Sequence, residues 1–162
     1  MSAWTSAAIS AGTSGAPAAI QLHASAVAVD GRGCLITGTA ASGKSTLALE
    51  MVALGAEFVA DDRVDIRRVG DGLMLSAPAS IAGMIEARGV GILRLPARPE
   101  APLALVVDLD AAEPERLPER RRELLGLSCA LVLGRGRAAL AAAVFVLLRA
   151  GGRLDAPGVR SR

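Results

Sequence analysis

The sequence predicts an α/β fold in which helices flank a mixed β-sheet. Three observations support this class. A glycine-rich loop lies between a short apolar, strand-like run and a segment with apolar residues at helical spacing. Strand-like and helix-like segments then alternate along the chain, as they do in sheets that are covered by helices. A Gly-Asp-Gly turn at residues 70–72 joins two strand-like runs, so part of the sheet is expected to be antiparallel.

The composition is that of one domain with a buried core. The chain has 162 residues, which is enough for a single core, and no apolar run reaches the roughly 18 residues that a membrane span needs. A net charge of +2 and an aromatic content of 2% provide neither the basic field nor the stacking surfaces of a nucleic-acid-binding protein. We therefore expect a cytoplasmic protein that binds neither nucleic acid nor membranes.

Three regions are expected along the chain. Residues 1–18 are rich in Ser, Ala and Gly, and residues 151–162 are rich in Gly, Pro and Arg, so both ends are predicted to be flexible. Residues 19–150 are predicted to form the folded domain. Cys34 and Cys129 lie in apolar runs without metal-ligand or redox spacing, and we interpret both as structural thiols.

The folded domain is predicted to begin with a hairpin that leads into the glycine loop. Residues 21–29 alternate enough for a strand, residues 30–33 form a glycine-containing turn, and residues 34–37 form a short buried strand. After the loop, apolar residues at helical spacing predict a helix that begins near Lys44 and stops at Gly55. The order strand, loop, helix is the one that a phosphate-binding loop requires.

The rest of the domain is predicted to complete the sheet and to cover it. β-prone or continuous apolar runs between turn residues indicate strands, and spacing of apolar or charged residues by three and four indicates helices. In chain order we predict strands at 57–60, 64–69, 73–76 and 103–109, a charged helix at 113–125, a strand at 128–133 and a closing helix at 138–149.

The glycine loop fits the pattern G-x-x-x-x-G-K-[ST] and contains Lys44, the only lysine among the 18 basic residues. A lysine ammonium is compact enough to lie along phosphate oxygens, whereas a guanidinium is a wide planar group. Main-chain N–H groups and the following helix N-terminus would bind the phosphates, and the Ser45 hydroxyl would bind Mg²⁺. The candidate nucleotide-binding residues are Gly38, Thr39, Ala40, Ala41, Ser42, Gly43, Lys44, Ser45 and Thr46.

Three acidic residues are candidates for metal binding or proton transfer in a Mg·ATP complex. Asp61 and Asp62 end the strand predicted at 57–60, where a carboxylate could hold the metal or take a proton from an attacking hydroxyl. Because successive strand residues point to opposite faces, one of the two is expected to face the phosphates directly. Glu86 is a weaker candidate beside a glycine-containing loop. Ala41 stands where related loops often have glycine, and at positive φ it would cost about 1 kcal/mol.

These segments together resemble the C-terminal domain of HPr kinase/phosphorylase. The resemblance covers roughly residues 20–135 and implies the P-loop fold that this family shares with PEP carboxykinase. It rests on His23, the glycine loop, the run Val-Ala-Asp-Asp-Arg-Val at 59–64 and the run Glu-Ala-Arg-Gly-Val-Gly-Ile at 86–92.

The resemblance also implies roles for individual residues. Asp62 would be the base that deprotonates a seryl hydroxyl of HPr and the acid in the reverse reaction, in which inorganic phosphate attacks the phosphoseryl protein. Lys44 and His23 would approach the phosphates. Ser45 and Glu86 would bind Mg²⁺, with Asp61 as a further candidate ligand. The implied partner is an HPr-like phosphocarrier protein, the cofactors are ATP and Mg²⁺, and a homo-oligomer is among the implied states.

Departures from the family pattern leave two alternatives open. The chain is expected to be a short form without the family's separate N-terminal domain, and only Arg135 or Arg137 can replace a later family arginine, so an ATP-binding signalling partner with little catalysis is one alternative. A small-metabolite kinase is the other, with Arg116 and Arg120–Arg122 as an arginine lid. We favour reading that arginine run as a solvated helix face, laced with glutamates at i, i+4 spacing.

Overall fold

The computed structural model describes residues 7–10 and 18–151. In this part of the chain, two helices and a short 3₁₀ turn (Ala79–Ile81) accompany the strands. The helices are α1 (Lys44–Ala53) and α2 (Leu140–Arg149). The strands are β1 (Ala7–Ser10), β2 (Ala19–Leu22), β3 (Ser25–Val29), β4 (Arg32–Thr37), β5 (Glu57–Ala60), β6 (Val64–Val69), β7 (Gly72–Ser76), β8 (Met84–Ala87), β9 (Gly91–Arg94), β10 (Glu100–Asp108), β11 (Arg121–Leu124) and β12 (Leu127–Leu133).

Strand β10 joins the two halves of one curled sheet. Its first residues pair antiparallel with β7, in a half that continues through β6 and β2 to β1. Its later residues pair parallel with β4 on one side and with β12 on the other. The second half continues from β4 through β3 to β5, and β11 pairs with β12. The sheet is therefore mixed, as predicted, and β8 and β9 form a separate hairpin.

Two apolar clusters hold the helices and the sheet together, one on each face of the β3–β4 region. Alternate residues of β3 and β4, including Val27 and Ile36, pack with Met51 of α1 and Val144 of α2. The intervening residues, such as Leu35, pack against the curled half of the sheet. Both helices thus cover one face of the β3–β4 region. The opposite face is covered by the other half of the curled sheet. None of the helices in residues 18–151 is long and apolar enough to span a membrane.

Several predicted elements are confirmed with small shifts in their ends. The helix predicted from Lys44 is α1, and the chain leaves it at Gly55 with a φ of 113°. The strands predicted at 57–60, 64–69, 73–76, 103–109 and 128–133 correspond to β5, β6, β7, β10 and β12, and the closing helix is α2. Burial raises the pKa of the Cys34 thiol to about 12, which agrees with an inert structural cysteine.

The helix predicted at 113–125 is wrong. Residues 113–120 contain no helix and no strand, and β11 follows them. Pro114 and Pro118 lie within the predicted helix, and proline lacks the N–H that a helix interior needs. Arg120 instead pairs with Glu113 and Glu115 of the same segment, and Arg122 pairs with Asp108 at the end of β10.

One further prediction needs correction. The strand predicted at 21–29 is interrupted at residues 23 and 24, because β2 pairs with β6 in one half of the sheet while β3 pairs with β4 in the other. The glycine-containing loop expected beside Glu86 is the turn of the β8–β9 hairpin, where Gly89 has a φ of 78°. Most of the segment 1–18 and of the tail 151–162 lies outside the described residues, and the predicted domain boundaries stay predictions.

Candidate active site

The glycine loop follows β4 and leads into α1, as the motif requires. A Cβ on Gly38 would overlap the Ser42 side chain, so only glycine allows the loop to close here. Gly43 has a φ of 101°, which glycine adopts without cost. Ala41 has a φ of 62°, in the left-handed region that costs an L-residue roughly 1–2 kcal/mol. The strain expected for alanine at this position is therefore present.

Lys44 is folded back over the loop. Its Nζ donates hydrogen bonds to the carbonyl oxygens of Gly38 at 2.9 Å and of Thr39 at 2.8 Å. Burial lowers the pKa of Lys44, while the carboxylates of Asp110, Asp61 and Asp62 act in the opposite direction. The ammonium thus lies next to the main-chain amides that would receive a phosphate, held by carbonyls that it can exchange for phosphate oxygens.

Asp61 is the buried member of the aspartate pair, with 5% of its surface exposed. Its Oδ1 accepts hydrogen bonds from the hydroxyls of Ser25 at 2.6 Å and of Ser45 at 2.8 Å. Strand β3, which carries Ser25, separates β5 from β4 in the sheet, so these contacts tie the end of β5 to the start of α1. A hydroxyl and a carboxylate oxygen are thereby held side by side at the phosphate loop.

Asp62 is the exposed member, and its backbone has a φ of 68°. This conformation turns the carboxylate away from Asp61 and toward His23, whose Nε2 lies 2.9 Å from the Asp62 Oδ1. Both side chains are more than half exposed. A solvent-accessible carboxylate that one histidine orients can accept a proton from a group that enters from outside.

One cleft of about 580 Å³ brings these side chains together. Its walls contain residues 40–46 of the loop, together with Glu86, Arg88 and Ile92 from the β8–β9 hairpin. Gly38 and Thr39 form the first limb of the loop and are not part of the lining. The predicted site residues that line the cleft are His23, Lys44, Ser45, Asp61, Asp62 and Glu86.

The donor set of the cleft fits Mg²⁺ better than a transition metal. Ser45, Asp61 and Glu86 offer only hard oxygen ligands, and Mg²⁺ typically uses one or two carboxylates together with substrate phosphates and water. Within residues 18–151 there is no group of three or more His, Cys, Asp or Glu side chains that could hold an ion unaided. This suits a metal that arrives with the phosphates of its nucleotide.

Asp110 is a site residue that the sequence analysis missed. It follows β10, which runs parallel to the loop strand β4, so both strands end at the same edge of the sheet. Its Oδ1 accepts hydrogen bonds from the Thr39 N–H at 2.8 Å and from the Thr39 hydroxyl at 2.9 Å. The signal was present in the sequence, since two aspartates follow the apolar run at 103–107.

The arginines considered at the sequence level lie elsewhere. Arg135 and Arg137 are exposed and do not line the cleft, and Arg137 donates to the carbonyl oxygen of Glu113 at 3.2 Å. Arg120 pairs with Glu113 at 2.9 Å. Arg121 donates a hydrogen bond to Ser128, and Arg122 pairs with Asp108. Arg116 is exposed and does not line the cleft.

A loop with the phosphate-binding pattern lies in a cleft with the bonded Ser45 hydroxyl and Asp61 carboxylate and with an exposed carboxylate, and this combination is typical of an α/β phosphotransferase-type domain. The model of the HPr Serine kinase C-terminal domain family matches residues 16–122. The chain belongs to this family.

Individual relatives agree with this assignment. The chain is 46% identical over 76 residues to the HPr kinase/phosphorylase of Clostridium tetani, covering 47% of this chain and 25% of that protein. It is 41% identical over 107 residues to that of Geobacillus kaustophilus, covering 61% and 34%. The chain thus spans a quarter to a third of these curated relatives. The structure of the Hpr(Ser) kinase/phosphatase from Coxiella burnetii matches with a TM-score of 0.69 and 27% identity, over 80% of this chain and 94% of that one.

Proposed function

We propose that this domain is an ATP-dependent protein-serine kinase of the HPr kinase/phosphorylase type, which phosphorylates a serine of an HPr-like phosphocarrier protein. The observation that carries the proposal is the position of the exposed Asp62 carboxylate in the same cleft as Lys44 and Ser45. The relatives' names support the choice of substrate. With this activity we also propose a cytoplasmic location and a homo-oligomer.

The loop would bind the triphosphate of ATP through its main-chain N–H groups. Lys44, whose ammonium lies at the carbonyls of Gly38 and Thr39, would also contact the β- and γ-phosphate oxygens. Ser45 and Glu86 would hold Mg²⁺, with Asp61 beside Ser45 as a further oxygen ligand. The metal supplies charge neutralisation on the phosphates when it is bound.

Asp62 would act on the seryl hydroxyl. As the seryl oxygen bonds to the γ-phosphorus, the bond from that phosphorus to the β–γ bridging oxygen breaks, ADP leaves, and the hydroxyl proton passes to Asp62. His23 would orient the Asp62 carboxylate through the contact between its Nε2 and Oδ1. In the phosphorylase direction, inorganic phosphate would displace the seryl oxygen, which takes its proton back from Asp62, and pyrophosphate would form.

The geometry favours this function over a small-metabolite kinase. The arginine lid considered for a metabolite kinase does not form, because Arg120 and Arg122 are engaged with carboxylates outside the cleft. The exposure of Asp62 and His23 also suits a substrate serine presented on the surface of a protein.

The test is transfer of label from γ-labelled ATP to a purified HPr-like phosphocarrier. The proposal expects label on one serine of the carrier, at a turnover near the 1–100 s⁻¹ typical of kinases, and no label on a carrier in which alanine replaces that serine. Binding of Mg·ATP without transfer to any HPr-like protein would instead support the alternative, an ATP-binding signalling partner.

A further inference from the structure

We propose that Asp110 is a positioning residue that holds the first limb of the phosphate loop, Gly38 and Thr39, in the shape that binds a nucleotide. The inference rests on the proposed function, because it concerns the loop that would receive the phosphates of ATP. It assigns a role to a side chain outside the motif and outside the cleft lining.

Thr39 is held from both sides. Its N–H and its hydroxyl donate to the Asp110 Oδ1 at 2.8 and 2.9 Å, and its carbonyl oxygen accepts from the Lys44 Nζ at 2.8 Å. Hydrogen bonds to a charged acceptor are about twice as strong as bonds between neutral groups. In this state the lysine and the aspartate share the task of fixing the first limb.

Nucleotide binding would divide the donors of the lysine between the loop and the phosphates. The ammonium has three N–H donors and gives two of them to the carbonyls of Gly38 and Thr39, so bonds to several phosphate oxygens would have to share them. Ala41, two residues further on, already has the strained φ of 62°, which adds to the cost of keeping the loop closed. The two bonds from Thr39 to Asp110 use no donor of the lysine, so they would fix Thr39 with and without nucleotide.

Asp110 is itself held by a second carboxylate. The Asp108 Oδ1 accepts a hydrogen bond from the Asp110 N–H at 2.8 Å, and the Asp108 Oδ2 is 2.7 Å from the Arg122 Nη2. Asp108 is 6% exposed and ends β10. Since β10 is paired with the loop strand β4, the Asp110 carboxylate is attached to the sheet that carries the loop. The backbone at Asp110 is therefore fixed by contacts that do not involve Lys44.

The negative charge of Asp110 could also affect nucleotide affinity, in the opposite direction. A carboxylate beside the loop repels phosphate, so a role through charge alone would make every neutral replacement bind nucleotide more tightly. A positioning role requires an acceptor oxygen at Oδ1 and not the charge itself. Asp110→Asn retains an acceptor oxygen and removes the charge, whereas Asp110→Ala removes both, so the two variants separate these expectations.

The experiment combines hydrogen exchange of the amide at position 39 in the nucleotide-free protein with calorimetric titration by Mg·ADP. For Asp110→Ala we expect faster amide exchange and about tenfold weaker Mg·ADP binding, which corresponds to about 1.4 kcal/mol. Asp110→Asn should stay within about threefold of the original protein. Asp71→Ala, in the turn between β6 and β7, is the matched control and should change neither quantity.

Thr39→Val gives an independent arm, since it removes the hydroxyl bond and keeps the N–H. It should weaken Mg·ADP binding less than Asp110→Ala does, and the two substitutions combined should cost less than the sum of their separate effects. This arm, together with Asp110→Asn, decides the question if Asp110→Ala does not fold.

Unchanged amide exchange at position 39 in Asp110→Ala, or additive effects of the two substitutions, would overturn the inference. Equal tightening of Mg·ADP binding in Asp110→Ala and Asp110→Asn would also overturn it and would assign Asp110 a repulsive role. Failure of the unsubstituted protein to bind Mg·ADP would contradict the proposed function, while the exchange measurement would still decide whether Asp110 fixes the limb.

Discussion

The phosphate loop and the arginine-rich segment at 113–125 are both polar, yet their shapes have different origins. The loop is shaped largely by its own residues, through glycines at Gly38 and Gly43 and the Lys44 contacts to two loop carbonyls, and Asp110 adds two bonds from outside. The arginine-rich segment is shaped by ion pairs, such as those of Arg120 with Glu113 and of Arg122 with Asp108. Charged residues that resemble a catalytic lid can therefore be structural, and only their partners reveal it.

The largest effect on activity is expected from a substitution in the phosphate loop, at Lys44. Lys44→Ala removes the cation that would lie along the phosphates, and loss of one such electrostatic contact typically lowers kcat by about 10²–10³. The free energy of unfolding should change much less, because the lysine bonds only to carbonyls of its own loop. Steady-state transfer of labelled phosphate, together with urea unfolding, would measure both quantities. A variant with near-normal kcat would show that this lysine does not act on the phosphates.

In the arginine-rich segment the same type of change should lower stability instead. Arg122→Leu leaves the largely buried Asp108 carboxylate without its cation, and such a loss typically costs about 3–5 kcal/mol when the pair is buried. Because Arg122 is 22% exposed, we expect a value near the lower end, about 3 kcal/mol. Urea unfolding of this variant beside Arg116→Leu, the exposed control, would measure it. Unchanged stability with a collapsed kcat would revive the arginine lid.

A smaller and pH-dependent effect is expected at Glu113. The hydrogen bond from Arg120 lowers the pKa of Glu113 from 4.5 to about 2. Since the pKa is lower in the folded state, ionised Glu113 stabilises the fold above pH 4.5, and this stabilisation is lost as the pH falls from 4.5 to 2. The Tm difference between the original protein and Glu113→Gln should therefore shrink across that window. A difference that stays constant from pH 6 to pH 2 would show that the ion pair does not form.

The smallest effect on catalysis is expected from the double variant Arg120→Ala, Arg121→Ala. Arg120 contacts Glu113 and Glu115, and Arg121 contacts Ser128, so neither side chain reaches the cleft. We expect kcat to stay within about twofold, because the contacts of both side chains lie outside the cleft. The labelled-phosphate assay with the same carrier measures it, and a tenfold loss of kcat would place these arginines in the catalytic site.

The same contrast explains which parts of the fold could be predicted from the sequence. The loop, α1 and the β6–β7 hairpin depend on local signals, namely the glycine pattern, helical spacing and a Gly-Asp-Gly turn. The wrong helix at 113–125 had an equally local pattern, but Pro114 and Pro118 exclude helix hydrogen bonds there. Spacing alone could not show that these arginines pair with Glu113 and Asp108.

For the candidate site, the residue types were predictable and their arrangement was not. Local patterns identified Lys44, Ser45 and the aspartate pair. Asp61 is buried where it accepts a hydrogen bond from Ser25, and Asp62 is exposed where its backbone has a positive φ. Neither feature has a sequence signature. Asp110 was missed because its contact with Thr39 spans 71 residues of chain and depends on the parallel pairing of β10 with β4.

Asp62→Asn tests the central claim most directly, because it changes one atom of the exposed carboxylate and leaves the loop intact. The account predicts that Mg·ATP affinity, measured by calorimetry, stays within about threefold, because Asp62 does not hold the nucleotide. Transfer of labelled phosphate to the carrier serine should fall by about 10²–10⁴, the usual contribution of a general base. Transfer at the original rate, with Mg·ATP bound, would contradict the assignment of Asp62 as the group that receives the seryl proton.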